Sequence, residues 1–229
     1  MRQNRGIPDL DEFLSAFPGL AIRPDGSNNT VLAGDFKLDA AIPGGVRVQE
    51  SFHLEIRVPP DYPEDRPRVF ERSGKIPMAG GKNHINPDGS LCLGSPIRLM
   101  MHLGSNPSLV GYMRECVVPF LYAIAHRQQH GGDLVFGELA HWVPGLADDY
   151  GKILNLRDGG KILAALKCVL MKKRIANKRP CPCGCQRRLG KCRLRFRIHT
   201  FRKLIPKMWL RAHLQELTGK PAPQRTTYY

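Results

Sequence analysis

The sequence predicts an α+β fold, with an N-terminal helix, a four-stranded antiparallel meander, a long loop and C-terminal helices. Phe52, Leu54, Ile56 and Val58 alternate with polar residues, as expected for a strand with one buried face. Turn-forming Pro, Gly and Asn residues separate this segment from its neighbours, and a long series of apolar residues at helical spacing follows Asn106. Apolar residues make up 42% of the 229, which is enough for a real core.

The first half of the chain divides at its Pro and Gly residues. A short helix is expected from Asp9, and Pro18-Gly19 ends it. The turn at 24–29 separates two strands, of which the second covers 31–40. The proline-rich segment 59–68 is too broken for regular structure, Val69-Phe70 is a short last strand, and 74–94 is a long loop.

The second half is predicted to be helical. One helix is capped by Asn106 and begins at Pro107, with a kink at Pro119. One or two shorter helices fall within 134–155, and another covers 160–175. Cys116 and Cys168 lie on or beside apolar stripes, so both are expected to pack rather than react.

The charge of the chain is unevenly distributed, which predicts two parts. Residues 1–150 have 14 Lys/Arg and 18 Asp/Glu, a net charge of −4, whereas residues 151–229 have 21 and 2, a net charge of +19. We expect a domain at 1–155 and a basic extension at 156–229. No secretory signal or apolar run of about 18–20 residues is present, so a cytoplasmic protein without a membrane partner is expected.

Cys92 is the candidate nucleophile. It follows the turn-forming run Asn86-Pro87-Asp88-Gly89-Ser90, so its thiol is expected on a loop and not in the core. A cysteine in that setting can accept an acyl group as a thioester and pass it to an amine. His84 and Asn86 are the candidate hydrogen-bond donors to the oxyanion, and bracing of the loop is the alternative role for His84.

These segments resemble ubiquitin-conjugating enzymes. Tyr62-Pro63-Glu64-Asp65-Arg66-Pro67 is similar to the family's Tyr-Pro-x-x-x-Pro stretch, and Asp88-Gly89-Ser90-Leu91-Cys92-Leu93 to its active-site segment. His84 replaces the usual asparagine, and Gly94 replaces the usual aspartate. The resemblance covers about residues 8–155 and implies the ubiquitin-conjugating-like fold, with Cys92 as thioester carrier.

With these two replacements, the sequence resembles the bacterial conjugating-like proteins of antiphage signalling more than the other members of that family. The resemblance implies that the chain attaches the C-terminus of a nucleotidyltransferase, of the cyclic GMP–AMP synthase-like class, to a target. The sequence has no phosphate-binding glycine loop, so a separate activating enzyme is expected to supply the acyl group. The alternatives are a cysteine hydrolase that uses Cys92 with His84, His102 or His126, a noncatalytic adaptor, and a nucleic-acid-binding protein.

Four cysteines, Cys181, Cys183, Cys185 and Cys192, crowd into twelve residues. Thiolates at this spacing suit tetrahedral zinc in a reducing compartment, so a structural zinc site is predicted. The segment resembles the SEC-C zinc motif, in which three of these cysteines are ligands and the residue after Cys192 would be the fourth. That residue is Arg193, so Cys185 or His199 is expected to substitute, and a group of reduced thiols is the alternative.

Basic residues surround this cluster. Arg193, Arg195 and Arg197 alternate with apolar residues, which predicts a strand with three guanidinium groups on one face. With Arg187 and Arg188 they are expected to bind a protein partner. Nucleic acid is the less favoured ligand, because Trp209 is the best of few stacking residues.

Overall fold

The computed structural model of the protein describes residues 6–77, 84–135 and 142–219. Their contacts form two compact units. The first unit takes its residues from Met1–Gly94 and Ser105–Glu138, and the second takes its residues from Ser95–Gly104 and Leu139–Tyr228. The predicted boundary at residue 155 remains a prediction.

A four-stranded antiparallel sheet forms the centre of the first unit, and this confirms the predicted α+β class. Its strands are β1 (Leu20–Arg23), β2 (Thr30–Ala40), β3 (Val48–Val58) and β4 (Arg68–Glu71), in the order β1-β2-β3-β4. Phe36 lies opposite Phe52, and both are buried. The alternation along β3 therefore does place its apolar side chains on one covered face.

Helices complete the first unit. Helix α1 (Leu10–Ala16) precedes the sheet; α3 (Leu109–Tyr112), a π-helical turn (Met113–Val117) and α4 (Val118–His130) follow it. The start of α3 differs from the expected Asn106 cap, because the Ser108 hydroxyl accepts from the Gly111 N–H and Asp9 accepts from Val110. The π turn ends at Val117, two residues before Pro119, which lacks an N–H.

The second unit is helical over its described residues. It contains α2 (Pro96–Ser105, except for its last residue), α5 (Trp142–Leu154), α6 (Gly159–Leu170), α7 (Lys173–Ala176), a 3₁₀ turn (Leu189–Lys191), α8 (Leu194–Leu204) and α9 (Lys207–Leu217). Tyr150, Phe201 and Trp209 are each at most 1% exposed and form part of its core. The Tyr150 hydroxyl and His213 Nδ1 are 2.8 Å apart within that core.

In this unit the sequence analysis misses one helix and makes one wrong prediction. Helix α2 was not expected, although Pro96 at its first position is a start signal and Ile97, Met100 and Leu103 repeat at helical spacing. The predicted strand at residues 193–198 is wrong, because α8 covers that segment. Leu194 and Ile198 are buried one turn apart, whereas Phe196 between them is 58% exposed.

Candidate functional site

Main-chain hydrogen bonds fix the position of Cys92. Leu91 donates its N–H to the carbonyl of Val69 on β4 at 2.7 Å, which attaches the loop to the edge of the sheet. Cys92 in turn donates its N–H to the His84 carbonyl at 2.7 Å, and Ile85 pairs with Leu91 as an antiparallel bridge. The loop is therefore a small hairpin that places Cys92 just beyond the strand edge.

Polar side chains brace the tip of this hairpin. The Asn86 amide donates to Ser90 Oγ at 3.0 Å and to the Leu91 carbonyl at 3.4 Å. Ser90 Oγ donates to Asp88 Oδ1 at 2.6 Å, and Arg68 lies 3.4 Å from Asp88 Oδ2. The amide of Asn86 thus already has two acceptors inside the loop, and its role as an oxyanion donor remains a prediction.

His84 has an unusual backbone. Its φ is +52°, in the left-handed region that asparagine, aspartate and histidine enter more readily than other residues with a side chain. Its carbonyl accepts the hydrogen bond from the Cys92 N–H, so this backbone conformation helps to position the nucleophile. The observed contact is a bracing one, and donation from the imidazole to an oxyanion remains a prediction.

The Cys92 thiol is half-buried. Burial raises its pKa above the ordinary value, while the Gly94 N–H donating to the sulfur and the positive charge of Arg66 oppose that rise. Gly94 has a φ of +132°, which a residue with a Cβ would adopt only under strain. The thiol is therefore mainly protonated at neutral pH. The Gly94 N–H and the Arg66 charge would stabilise negative charge on its sulfur.

Arg66 is the site residue that the sequence interpretation missed. It is only 7% exposed, on the segment that leads into β4. Its charge acts on both Cys92 and the buried Tyr112, and Tyr112 donates its hydroxyl to the Pro67 carbonyl at 3.2 Å. The sequence did contain a signal for this residue. Arg66 lies in a proline-rich connection just before a strand, where a charged side chain has little room to reach water.

The remaining thiols and histidines of the prediction have other surroundings. Cys168 is buried in α6, which confirms the expectation that it packs. Cys116 is half-buried in the π turn, and burial together with Glu115 raises its pKa to about 11. The His126 ring lies 5.8 Å from that of Tyr122 and 4.9 Å from that of His130, all on α4.

A second candidate site forms where the chain folds back between α7 and α8. Cys181 donates its N–H to the Arg187 carbonyl at 2.8 Å, and Leu189 donates to the Arg179 carbonyl at 2.9 Å. Gly184 has a φ of +83° at the tip of this hairpin. Cys192 follows the 3₁₀ turn immediately before α8. The hairpin and the turn together bring cysteines from both ends of the segment to one point.

The geometry of this cysteine cluster suits a metal ion. The four sulfurs of Cys181, Cys183, Cys185 and Cys192 lie within 4.8 Å of one another, with 3.2 Å between the first pair and 3.7 Å between Cys183 and Cys192. Tetrahedral bonds of about 2.3 Å to zinc would place sulfurs about 3.8 Å apart. Cys185 thus joins the three motif cysteines, and His199 is not in the group found among the described residues.

The pKa shifts of the cysteines in this cluster are compatible with metal binding. The Arg187 N–H and the neighbouring Cys183 lower the pKa of Cys185 to about 6. Burial raises the pKa of Cys181 and of Cys183. Binding of a metal cation would release the thiol protons of these cysteines, because only the thiolate is a strong ligand.

The predicted partner-binding arginines differ in what they contact. Arg187 and Arg188 are exposed on the hairpin, and Arg193 is exposed at the start of α8. Arg195 donates to the Gly190 carbonyl at 2.6 Å, and Arg197 donates to the Leu154 carbonyl at 2.9 Å. These last two therefore stabilise the unit itself, and partner binding by the five remains a prediction.

Comparison with known protein families, with curated proteins and with solved structures finds no match for this chain. Within the described part of the chain, no helix is both long and apolar enough to cross a bilayer.

Proposed function

We propose that the protein is an acyltransferase of the ubiquitin-conjugating type, which carries a protein C-terminus as a thioester on Cys92. The observation that carries this proposal is the half-buried thiol on a braced hairpin, with the Gly94 N–H and the Arg66 charge both acting on its sulfur. The order of a helix, a four-stranded meander, a cysteine loop and further helices supports a conjugating-like fold.

The chemistry follows in two steps. In the first, the Cys92 sulfur attacks an activated carboxyl group, a carbon–sulfur bond forms, the activating group leaves and the thiol proton passes to solvent or to that group. In the second, an amine attacks the thioester, a carbon–nitrogen bond forms and the Cys92 thiolate leaves and takes up a proton. Arg66 stabilises the charge on the departing sulfur, because attraction between charges is strong away from water.

The hydrolase is the second candidate. A cysteine hydrolase pairs its thiol with an imidazolium ion, and this pairing lowers the pKa of the thiol. The pKa of Cys92 is raised instead, and among the described residues an arginine, not a histidine, opposes that rise. A thiol of this kind suits an acyl carrier better than a thiol that must ionise to attack an unactivated peptide bond.

Covalent trapping tests the transferase. The protein would be incubated with ATP, an activating enzyme and a nucleotidyltransferase of the cyclic GMP–AMP synthase-like class, its proposed acyl donor in antiphage defence. We expect an adduct that thiol reductants cleave, and Cys92→Ser should give an ester adduct that they leave intact. Cys116→Ala is the matched control and should behave as wild type. An adduct that persists in Cys92→Ala would disprove the proposal.

We further propose that Cys181, Cys183, Cys185 and Cys192 hold one structural zinc ion. Four protein ligands fill a tetrahedral site, so no position is left for a substrate. The hairpin between α7 and α8 offers few apolar side chains besides Leu189, so the metal would supply much of its folding free energy.

Metal analysis tests this site. Elemental analysis should give about one zinc per chain in wild type and in Cys116→Ala, and clearly less in Cys185→Ser. Removal of the metal with a chelator should increase amide hydrogen exchange in the segment 179–193 while the exchange of β2 and β3 stays unchanged. Full protection of that segment in metal-free protein would contradict a structural role.

A further inference from the structure

The segment from Gly159 to Gln215 contains 17 Lys and Arg residues and no Asp or Glu. Its cations therefore have no carboxylate within the segment with which to pair. Two ion pairs of the second unit, Arg98 with Asp149 and Lys152 with Asp148, lie outside this segment. The segment carries a large positive charge that an external anion could neutralise.

Some of these cations are occupied by the fold and some are available. Arg195, Arg197 and Arg202 donate to main-chain carbonyls, so they hold the unit together. By contrast, a concavity of 240 Å³ is lined by exposed residues of α7 and of the turn that follows it, and Ile175 at this surface is 46% exposed. The residues that line it are Arg174, Ile175, Lys178 and Arg179.

A second group of cations lies near His199 on α8. Lys173 on α7 and Lys203 on α8 are exposed, and both are near enough to His199 for their charges to act on its imidazole. Burial and these cations, with Arg195 and Arg202, hold the pKa of His199 below its usual value. Lys173 directly precedes Arg174 on α7, so this helix has cations both at the concavity and near His199.

An aromatic side chain adjoins this region. Phe196 is 58% exposed and lies one turn before His199 on α8. The guanidinium carbon of Arg195 is 4.6 Å from the centre of its ring. An exposed aromatic ring in a region rich in cations is the combination with which proteins bind unpaired bases and the phosphates that link them.

We propose that Lys173, Arg174, Lys178, Arg179, Phe196 and Lys203, here called the α7–α8 face, bind single-stranded nucleic acid. Phosphate groups enter the concavity, and a base stacks on Phe196. Three cations around one concavity suit a compact phosphate, and the exposed ring favours a base-bearing polymer over an acidic protein segment. This site uses residues of the second unit alone and does not require acyl transfer at Cys92.

The test is fluorescence polarisation of the full chain with a labelled 20-nucleotide oligo-uridine. Neutralisation of about four phosphates gives a slope of about −2.8 in log affinity against log salt, so affinity should fall about 50-fold between 50 and 200 mM KCl. The double variant Arg174→Glu/Lys178→Glu should bind at least about tenfold more weakly. Its control, Arg23→Glu/Lys37→Glu, makes the same charge change on exposed residues of β1 and β2 and should bind within about twofold of wild type.

Further variants separate the contributions of base and phosphate. Phe196→Ala should weaken oligo-uridine about tenfold but leave an abasic phosphodiester oligomer unaffected. The proposal is overturned if the two double variants bind alike, if affinity is independent of salt, or if polyglutamate of equal length competes as well as the oligonucleotide. Cys92→Ala should bind as wild type, so the outcome is separate from that of the trapping experiment. Circular dichroism would verify that each variant is folded.

Discussion

At the scale of single residues, the groups that position Cys92 are different from the groups whose charge acts on its sulfur. Main-chain bonds to His84 and from Leu91 to Val69 fix the position of Cys92. The charge of Arg66 and the N–H of Gly94 act on the sulfur itself. A mutation can therefore change the reactivity of the thiol without moving the loop, which makes the contribution of Arg66 measurable.

Replacement of Arg66 by Gln should raise the pKa of Cys92 further. Arg66 favours the thiolate, so its loss leaves burial less opposed and shifts the equilibrium toward the thiol. The pH midpoint of alkylation by iodoacetamide should move upward, and the reaction at pH 7 should slow. The midpoint is read at Cys92 by mass spectrometry of the labelled peptide.

Arg23→Gln is the matched control, because Arg23 is an exposed arginine of β1, and its midpoint should equal that of wild type. A downward shift in Arg66→Gln would refute the assigned electrostatic role. Circular dichroism identifies a loss of fold, which is a risk because Arg66 is buried.

At the scale of elements, Arg202 on α8 caps the C-terminal end of α6. Arg202 on α8 donates to the Cys168 carbonyl at 2.8 Å and to the Val169 carbonyl at 3.1 Å, both near the end of α6. Carbonyls at a helix C-terminus lack partners inside the helix and carry partial negative charge. This one side chain therefore caps α6 and connects it to α8.

We expect Arg202→Gln to lower the free energy of unfolding by about 1–3 kcal/mol, since hydrogen bonds from a charged donor are lost. Urea unfolding followed by tryptophan fluorescence measures this, because both tryptophans, at positions 142 and 209, lie in the second unit. Arg211→Gln on the exposed side of α9 removes an equal charge and should change it by less than about 0.5 kcal/mol. Equal effects of the two variants would exclude the capping role.

At the scale of the whole molecule, the uneven charge distribution has a consequence for stability. Like charges concentrated in one compact unit repel one another, and this repulsion destabilises the folded state. The segment from Gly159 to Gln215 has no carboxylate to offset it. Apolar burial and the proposed metal must therefore stabilise the second unit against its own charge.

The melting temperature of the second unit should rise between 0.1 and 1 M NaCl. The screening length falls from about 10 Å to about 3 Å over that range, so repulsion between exposed cations weakens. Tryptophan fluorescence again reports this unit. A variant with Lys172, Lys173 and Arg174 changed to Gln should show a smaller rise, and an equal or larger rise in that variant would argue against repulsion as the cause.

The sequence by itself determined the α+β class, the strands of the meander and the grouping of four cysteines. Period-two alternation and turn residues act locally, so they can be recognised without a structure. For the same reason Cys181, Cys183 and Cys192 could be aligned with a metal motif before the position of Cys185 was known.

Tertiary structure alone decided the features that depend on residues distant in sequence. Residues 193–198 fit both a strand and a helix, and burial of Leu194 with Ile198 and Phe201 selects the helix. Trp209, expected as the stacking residue, is buried, and Phe196 is exposed instead. Arg66 precedes Cys92 by 26 positions, and only the folding of the cysteine hairpin against β4 brings its charge to the sulfur.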